Sequence, residues 1–302
     1  MTDARPHNIT FGIALIIATA LTISLQDLVF KLFSSSLSLW QIFALRGVFS
    51  LPVLFLVNGL GQGAAAAWNP WSILRGVCLT TTFLCFYAAI PFLSLSTVGA
   101  ANYIAPIFVA LLSSYVIGEA VGRIGWLGVL LGFAGVLVLL QPGSDAFSPF
   151  ALLPVLGAAF YAFGHIITRM KCQDIPVAAL ALSLNAVMVL AGVLITFALM
   201  LVPLPETLSE TYPYIFGPWS AVSTKDWAVL ALLAGFTVTI GMMLAGAYKI
   251  APPATVATFE YSYLVFVALW DILFFSLIPT SATLLGMTMI VMAGLCVMRG
   301  RG

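Results

Sequence analysis

Four ionisable side chains lie deep inside apolar stretches of this sequence: Asp27, Arg46, His165 and Glu260. An ionisable group inside a membrane span costs several kcal/mol unless it is paired or faces water, so each is a candidate site residue. Their expected depths suggest an ion pair between Asp27 and Arg46 and a hydrogen bond between His165 and Glu260. Histidine titrates near neutral pH, so the second pair could carry a proton. A purely structural role stays open for both pairs.

Aromatic and polar side chains near these positions extend the candidate site. Such a mixture suits a mostly apolar pocket with a few polar groups, which favours an amphiphilic substrate of moderate size. Some of the aromatic residues are expected to serve packing alone. The predicted substrate-binding residues are Gln26, Asp27, Trp40, Arg46, Tyr87, Asn102, Tyr103, Tyr161, His165, Tyr248, Glu260, Tyr261 and Tyr263.

The sequence does not favour an enzyme. Its two histidines, His7 and His165, belong to no cluster that would make a catalytic or metal site. The four cysteines form neither a CxxC motif nor a Cys/His cluster, so small apolar roles are expected for them. We therefore predict no catalytic residue, no metal ligand and no cofactor.

A repeat organises these residues. Shifting the chain by 158 positions places residues 255–269 on residues 97–111, with seven identities in fifteen positions. Tyr261 then falls on Tyr103, and Glu260 falls on Asn102. A polar residue at the matching place in both copies suggests two halves that face each other across a site, as in many transporters.

Composition identifies the environment of the chain. Of its 302 residues 62% are hydrophobic and 7% are charged, whereas a soluble domain carries about 25% charged residues. The net charge of +1 favours no nucleic-acid partner. A spanning helix needs about 20 apolar residues. The predicted fold is therefore an all-α integral membrane protein with ten transmembrane helices, at 11–33, 37–58, 72–90, 97–117, 123–141, 149–170, 176–201, 227–248, 253–275 and 280–299.

The distribution of Lys and Arg predicts the orientation. With the N-terminus in the cytoplasm, cytoplasmic ends would carry eight of these residues, and only Lys31 and Lys225 would lie outside. Both termini are therefore predicted to be cytoplasmic. Because each half, 11–141 and 149–299, holds five spans, the second repeat must be inverted relative to the first.

Three elements carry structural expectations. The fifth span holds Gly125, Gly128, Gly132 and Gly135 on one face, where small residues allow close helix packing within the bundle or between subunits. The long connection 202–226 is rich in aromatic residues and prolines, and we expect it to lie at the membrane interface. Asp271, near the outer end of its helix, is expected to be solvated.

Several segments resemble the drug/metabolite transporter superfamily, in its EamA-like branch. They are ANYIAPIFVALLSSYVIGE at 101–119, GWLGVLLGFAGVLVL at 125–139, Arg46-Gly47 and the basic residue Lys31. The second copy departs from the family pattern, because Ser276-Leu277 replaces the glycine–glutamate step and the usual early tryptophan–glycine is absent. The resemblance implies export of small metabolites or amino acids across a bacterial inner membrane, and it is strongest to YddG-type aromatic amino-acid exporters.

The function predicted from sequence is thus secondary transport of small amphiphilic metabolites, with aromatic amino acids favoured, by alternating access around a central cavity between the repeats. The alternative is a nucleotide-sugar or lipid-linked carrier of the same superfamily. Such a phosphorylated substrate would need several cations in the cavity, and Arg46 is the only Lys or Arg deep within a predicted span. The expected partners are the substrate, a coupled proton if transport is proton-driven, and membrane lipid. Monomer and homodimer both remain open.

Overall fold

Long apolar runs fold as helices here because a helix satisfies its backbone hydrogen bonds internally, as a lipid environment requires. The computed structural model describes residues 9–33, 37–58, 62–112, 115–116, 122–141, 148–202, 205–250 and 259–299. Within these residues the chain is helical, with no strand. Among the described residues, seven helices are long and apolar enough to cross a membrane, and 262–275 and 281–293 are shorter apolar helices. The prediction of an all-α membrane protein is confirmed, whereas the count of ten spans stays a prediction.

The helices in chain order are α1 (Ile9–Phe33), α2 (Leu39–Asn58), α3 (Gln62–Ala66), α4 (Pro70–Ala89), α5 (Leu95–Asn102), α6 (Ala105–Leu112), α7 (Arg123–Leu140), α8 (Leu152–Lys171), α9 (Val177–Leu201), α10 (Glu206–Thr211), α11 (Pro213–Phe216), α12 (Thr224–Ile250), α13 (Ser262–Phe275) and α14 (Ser281–Arg299). Pro149–Ala151 forms a short 3-10 helix before α8.

Local sequence explains how several helices begin. The side chain of Asn69 accepts a hydrogen bond from Trp71 N before α4, whose first residue is Pro70. Ser94 caps α5 by accepting from Thr97 N at 3.1 Å. Both are standard N-terminal signals, since Asn and Ser satisfy free backbone N–H groups and proline at the first position loses no helical bond.

The chain divides into two compact units. The first comprises Met1–Asp27, Ser94–Ser148 and Thr239–Gly302, and the second comprises Leu28–Leu93 and Pro149–Val238. Each unit therefore combines segments from both predicted repeats. The repeat boundaries 11–141 and 149–299 stay a sequence prediction.

In the first unit, α7 packs along α14, and α5 packs on α13. All four glycines of the α7 stripe are buried. A Cβ on Gly132 would overlap Ile107, and one on Gly135 would lie 2.9 Å from Met289 Cβ. The stripe therefore serves close packing inside this unit, as small residues do between membrane helices.

In the second unit, α4 packs against α8 and α9, and α2 packs against α9. The connection 202–226 folds back on the start of α2: the Gln41 side chain donates to Ser220 O at 2.7 Å and accepts from Ser220 N at 3.2 Å. The described part of this connection is thus an ordered segment containing α10 and α11. Its place at a membrane interface stays a prediction.

Candidate functional site

Two interrupted helices form the centre of the candidate site, which lies within the first unit. Helix α5 ends at Asn102 and α6 begins at Ala105, so a turn at Tyr103 and Ile104 divides the predicted fourth span. A turn at Tyr261 separates helical Phe259 and Glu260 from α13. The backbone angles agree closely, with φ −72° and ψ 8° at Tyr103 and φ −61° and ψ −14° at Tyr261. Broken helices of this kind position polar backbone groups for substrates in transporters.

Three tyrosine rings meet at these turns. Tyr103 stacks on Tyr263 with ring centroids 5.3 Å apart and planes 20° apart, and it lies 5.5 Å from the tilted ring of Tyr261. Tyr261 and Tyr263 are buried, and Tyr103 is half-buried. A Cβ at position 99 would lie 2.7 Å from Tyr263 Cε1, so Gly99 is what allows the ring to approach α5. We refer to Tyr103, Tyr261 and Tyr263 as the tyrosine cluster.

Hydrogen bonds hold two of the cluster's hydroxyls. Tyr263 OH donates to Asp27 Oδ2 at 2.7 Å, and Tyr103 OH donates to Glu260 O at 3.2 Å. Asp27 is buried, so this tyrosine supplies part of what its carboxylate needs in an apolar surrounding. Glu260 is half-buried, and Gln26, next to Asp27, is buried. Asp27, Glu260 and these tyrosines thus all lie in the first unit, and their role in substrate binding stays a prediction.

Two polar atoms of the site lack a hydrogen-bond partner within the described residues. They are Asn102 Oδ1 and Tyr261 OH, both enclosed. A buried polar atom left unsatisfied costs about 1–3 kcal/mol, so each such atom needs an explanation. The site thus combines packed aromatic rings with a buried oxygen acceptor that has no partner among the described residues.

The expectation for Asp271 was wrong. Its side chain is fully buried and caps α5, accepting hydrogen bonds from Leu95 N at 3.0 Å, Ser96 N at 2.7 Å and the Ser96 hydroxyl. These groups compensate for burial of the carboxylate, so solvent is not needed. Asp271 thereby ties α13 to α5, the two helices that carry Tyr263 and Gly99. Trp270 Nε1 adds a bond to Ser24 Oγ at 3.0 Å.

The remaining predicted site residues lie in other places. Arg46 in the second unit is buried, donates to Met188 Sδ at 3.2 Å and lies 5.4 Å from the Phe43 ring. His165 contacts Tyr161, with ring centroids 4.2 Å apart. Tyr248 lies on α12, and its side chain is outside the described residues.

Trp40 and Tyr87 also lie in the second unit. Trp40 lines a cavity of about 290 Å³ together with Thr196 and Trp219, and its Nε1 donates to Ile215 O at 2.6 Å. Tyr87 is enclosed in an aromatic core, stacked on Phe30 with centroids 3.8 Å apart. The predicted pairs Asp27–Arg46 and His165–Glu260 each join residues of different units, and both stay predictions. In the described part of the chain, no three His, Cys, Asp or Glu side chains come together to form a metal site.

Comparison with known proteins links this all-helical chain to membrane transporters. Residues 10–141 match the EamA-like transporter family, in agreement with the family resemblance drawn from the sequence. A solved crystal structure that is 17% identical to this chain, over 95% of both chains, has the same fold with a TM-score of 0.54.

Three characterised relatives are similar over most of their length. A riboflavin transporter of Rhizobium johnstonii is 29% identical over 271 residues, 88% of this chain and 81% of the relative. Pseudopaline exporter CntI of Pseudomonas aeruginosa is 23% identical over 95% of this chain and 96% of the relative. An S-adenosylmethionine uptake transporter of Rickettsia prowazekii is 23% identical, with 94% and 91% covered. The family and these relatives are transporters, which confirms that the chain is not an enzyme. Their names do not support an amino-acid substrate.

Proposed function

We propose that this protein is a secondary transporter of the bacterial inner membrane for small planar, nitrogen-containing ring compounds with a polar tail. The observation that carries the proposal is the stacked tyrosine cluster beside Asn102 Oδ1, an acceptor without a partner in the described residues. A ring that stacks on tyrosine and donates an N–H to Asn102 would satisfy both features.

Two kinds of substrate fit this description. Riboflavin carries a flat tricyclic ring with one N–H donor, and a riboflavin transporter is among the relatives. Tryptophan carries an indole N–H, which agrees with the aromatic amino acids favoured by the sequence. The relatives include both an exporter and an uptake transporter, so their names do not give the direction of transport. The direction depends on the gradient that drives transport and needs its own measurement.

The hydrogen bond to Asn102 is tested with matched ligand pairs and purified protein in isothermal titration calorimetry. Tryptophan is compared with 1-methyltryptophan, and riboflavin with 3-methylriboflavin, because each pair differs only in the N–H group. We expect at least one N–H ligand to bind about tenfold more tightly than its methylated partner. Threonine, which has no ring, should not bind.

The variant Asn102→Leu should bind both members of a pair equally, since it lacks the acceptor oxygen. Asn185→Leu is the matched control, because Asn185 lies in the second unit and its amide donates to the nearby Ala181 O at 2.9 Å. It should keep the wild-type preference. Equal binding within both pairs by the wild-type protein would contradict the proposal, as would binding of threonine as tight as that of the ring compounds.

A further inference from the structure

The two turns of the candidate site occupy equivalent positions of the predicted repeat but make unequal hydrogen bonds. Asn102 and Tyr103 in the first copy correspond to Glu260 and Tyr261 in the second. Tyr103 OH donates to the main-chain oxygen of Glu260 at 3.2 Å. Tyr261 is 7% exposed, and its hydroxyl has no partner within the described residues. Its repeat-related acceptor would be the main-chain oxygen of Asn102.

The turn at Tyr261 changes the backbone hydrogen bonding next to Glu260 O. In a continuous helix this oxygen would accept from the N–H four residues later, at Leu264. Leu264 N instead donates to Tyr261 O at 3.1 Å, because the turn tightens the chain there. Tyr103 OH therefore donates to Glu260 O at the point where the helix is interrupted.

The first copy frees the equivalent oxygen by a different route. The residue four positions after Asn102 is Pro106, which has no N–H and cannot complete a helical bond. Asn102 O thus has no helical donor, because proline occupies the donor position. The repeat therefore relates two hydrogen bonds, one from Tyr103 OH to Glu260 O and one from Tyr261 OH to Asn102 O. The structure shows the first of them.

We propose that the two tyrosines alternate: in the second conformation of the transport cycle, Tyr261 OH donates to Asn102 O while Tyr103 OH leaves Glu260 O. In an inverted-repeat transporter, each half adopts in one state the conformation of the other half in the opposite state. Tyr261, whose hydroxyl has no partner among the described residues, therefore marks the second state. The inference rests on the proposed transport function and on the predicted repeat.

The test measures the populations of two conformations by electron–electron resonance between two nitroxide labels. The four native cysteines of the full-length protein are first replaced by alanine. One label is then attached to each unit at an exposed position, through Ile278→Cys in the first unit and Ala221→Cys in the second. Tyr103→Phe removes the bond of the present state, and Tyr261→Phe removes the bond of the other. Tyr115→Phe is the control, because Tyr115 is 80% exposed.

We expect Tyr103→Phe to lower the ratio of the present to the second conformation about fivefold, the change that one hydrogen bond supplies. Tyr261→Phe should raise that ratio by a similar factor, and the double variant should return it near the wild-type value. Tyr115→Phe should leave it unchanged. Shifts in the same direction by both single variants, no shift by either, or an equal shift by Tyr115→Phe would overturn the inference.

Ligand binding in the same variants separates this inference from the proposed function. Wild-type protein that binds its ring ligand but shows no opposite shifts in the two variants would overturn the alternation and leave the transport proposal standing. Opposite shifts in a protein that binds none of the ring compounds would support the alternation and overturn the substrate class.

Discussion

Replacing a buried tyrosine by phenylalanine should lower stability where the hydroxyl has a hydrogen-bond partner, and should not where it has none. Tyr263 OH donates to buried Asp27 at 2.7 Å. Tyr214 OH, on α11, is buried with no partner in the described residues, and burial raises the pKa of this phenol, which stays neutral. We predict that Tyr263→Phe lowers the free energy of unfolding by about 1–3 kcal/mol, the cost of leaving a buried acceptor without its donor.

Tyr214→Phe is the matched control, because it removes a hydroxyl without breaking a bond seen in the structure. Its melting temperature in detergent should equal or exceed that of the wild type. A melting temperature of Tyr263→Phe that is also unchanged would show that Asp27 does not depend on this hydroxyl.

The repeat marks Asn102, Glu260, Tyr103 and Tyr261 as site candidates, because an apolar segment with polar residues at matching places occurs twice. No such signal marked Asp271. For Asp271 the sequence showed only a position near a helix end. The groups that it caps, Leu95 and Ser96, lie about 175 residues away in sequence. Sequence periodicity reports on neighbours along a helix and carries no information about such a distant cap.

At the scale of helices, the contact between α7 and α14 depends on glycine. A Cβ at position 135 would lie 2.9 Å from Met289 Cβ and 3.1 Å from Gly286 O. We predict that Gly135→Ala destabilises the protein by about 1–3 kcal/mol, the usual cost of overpacking. Thermal unfolding in detergent, followed by circular dichroism, measures the change.

Gly235→Ala is the control for this substitution, because a Cβ on Gly235 of α12 would meet nothing within 4 Å. There alanine should be neutral or stabilise the helix by up to about 1 kcal/mol, given its higher helix propensity. Equal destabilisation by both substitutions would contradict the account of the stripe as a packing surface.

Helix positions could be read from apolar length, but the interruption at Tyr103 could not be read from hydropathy. Residues 97–117 form one apolar run, so we predicted one span there. The available signal was Pro106, which lies near the start of α6, where proline is favoured. Residues 251–258, the start of the predicted ninth span, lie outside the described part of the chain.

At the scale of the whole molecule, the order of residues along the chain does not reveal which helices pack together. The predicted repeats are contiguous, 11–141 and 149–299, whereas each compact unit draws on both. Helix α7 of the first repeat packs on α14 of the second because glycines on both allow close approach. Glycine at positions 135 and 286 indicates a helix interface but does not identify the partner helix. The composition of the two units could therefore be determined only from the structure.

The measurement that tests the central claim most directly is uptake of labelled tryptophan and riboflavin into proteoliposomes loaded with the same unlabelled compound. Empty liposomes and labelled threonine serve as controls, and each experiment is repeated with a pH gradient. The account predicts exchange of at least one ring compound above both controls, lost in Tyr103→Leu, which removes a stacking face of the cluster. Acceleration by the gradient would add proton coupling. Exchange of neither ring compound, or equal exchange of threonine, would contradict the claim that the tyrosine cluster binds a planar substrate for transport.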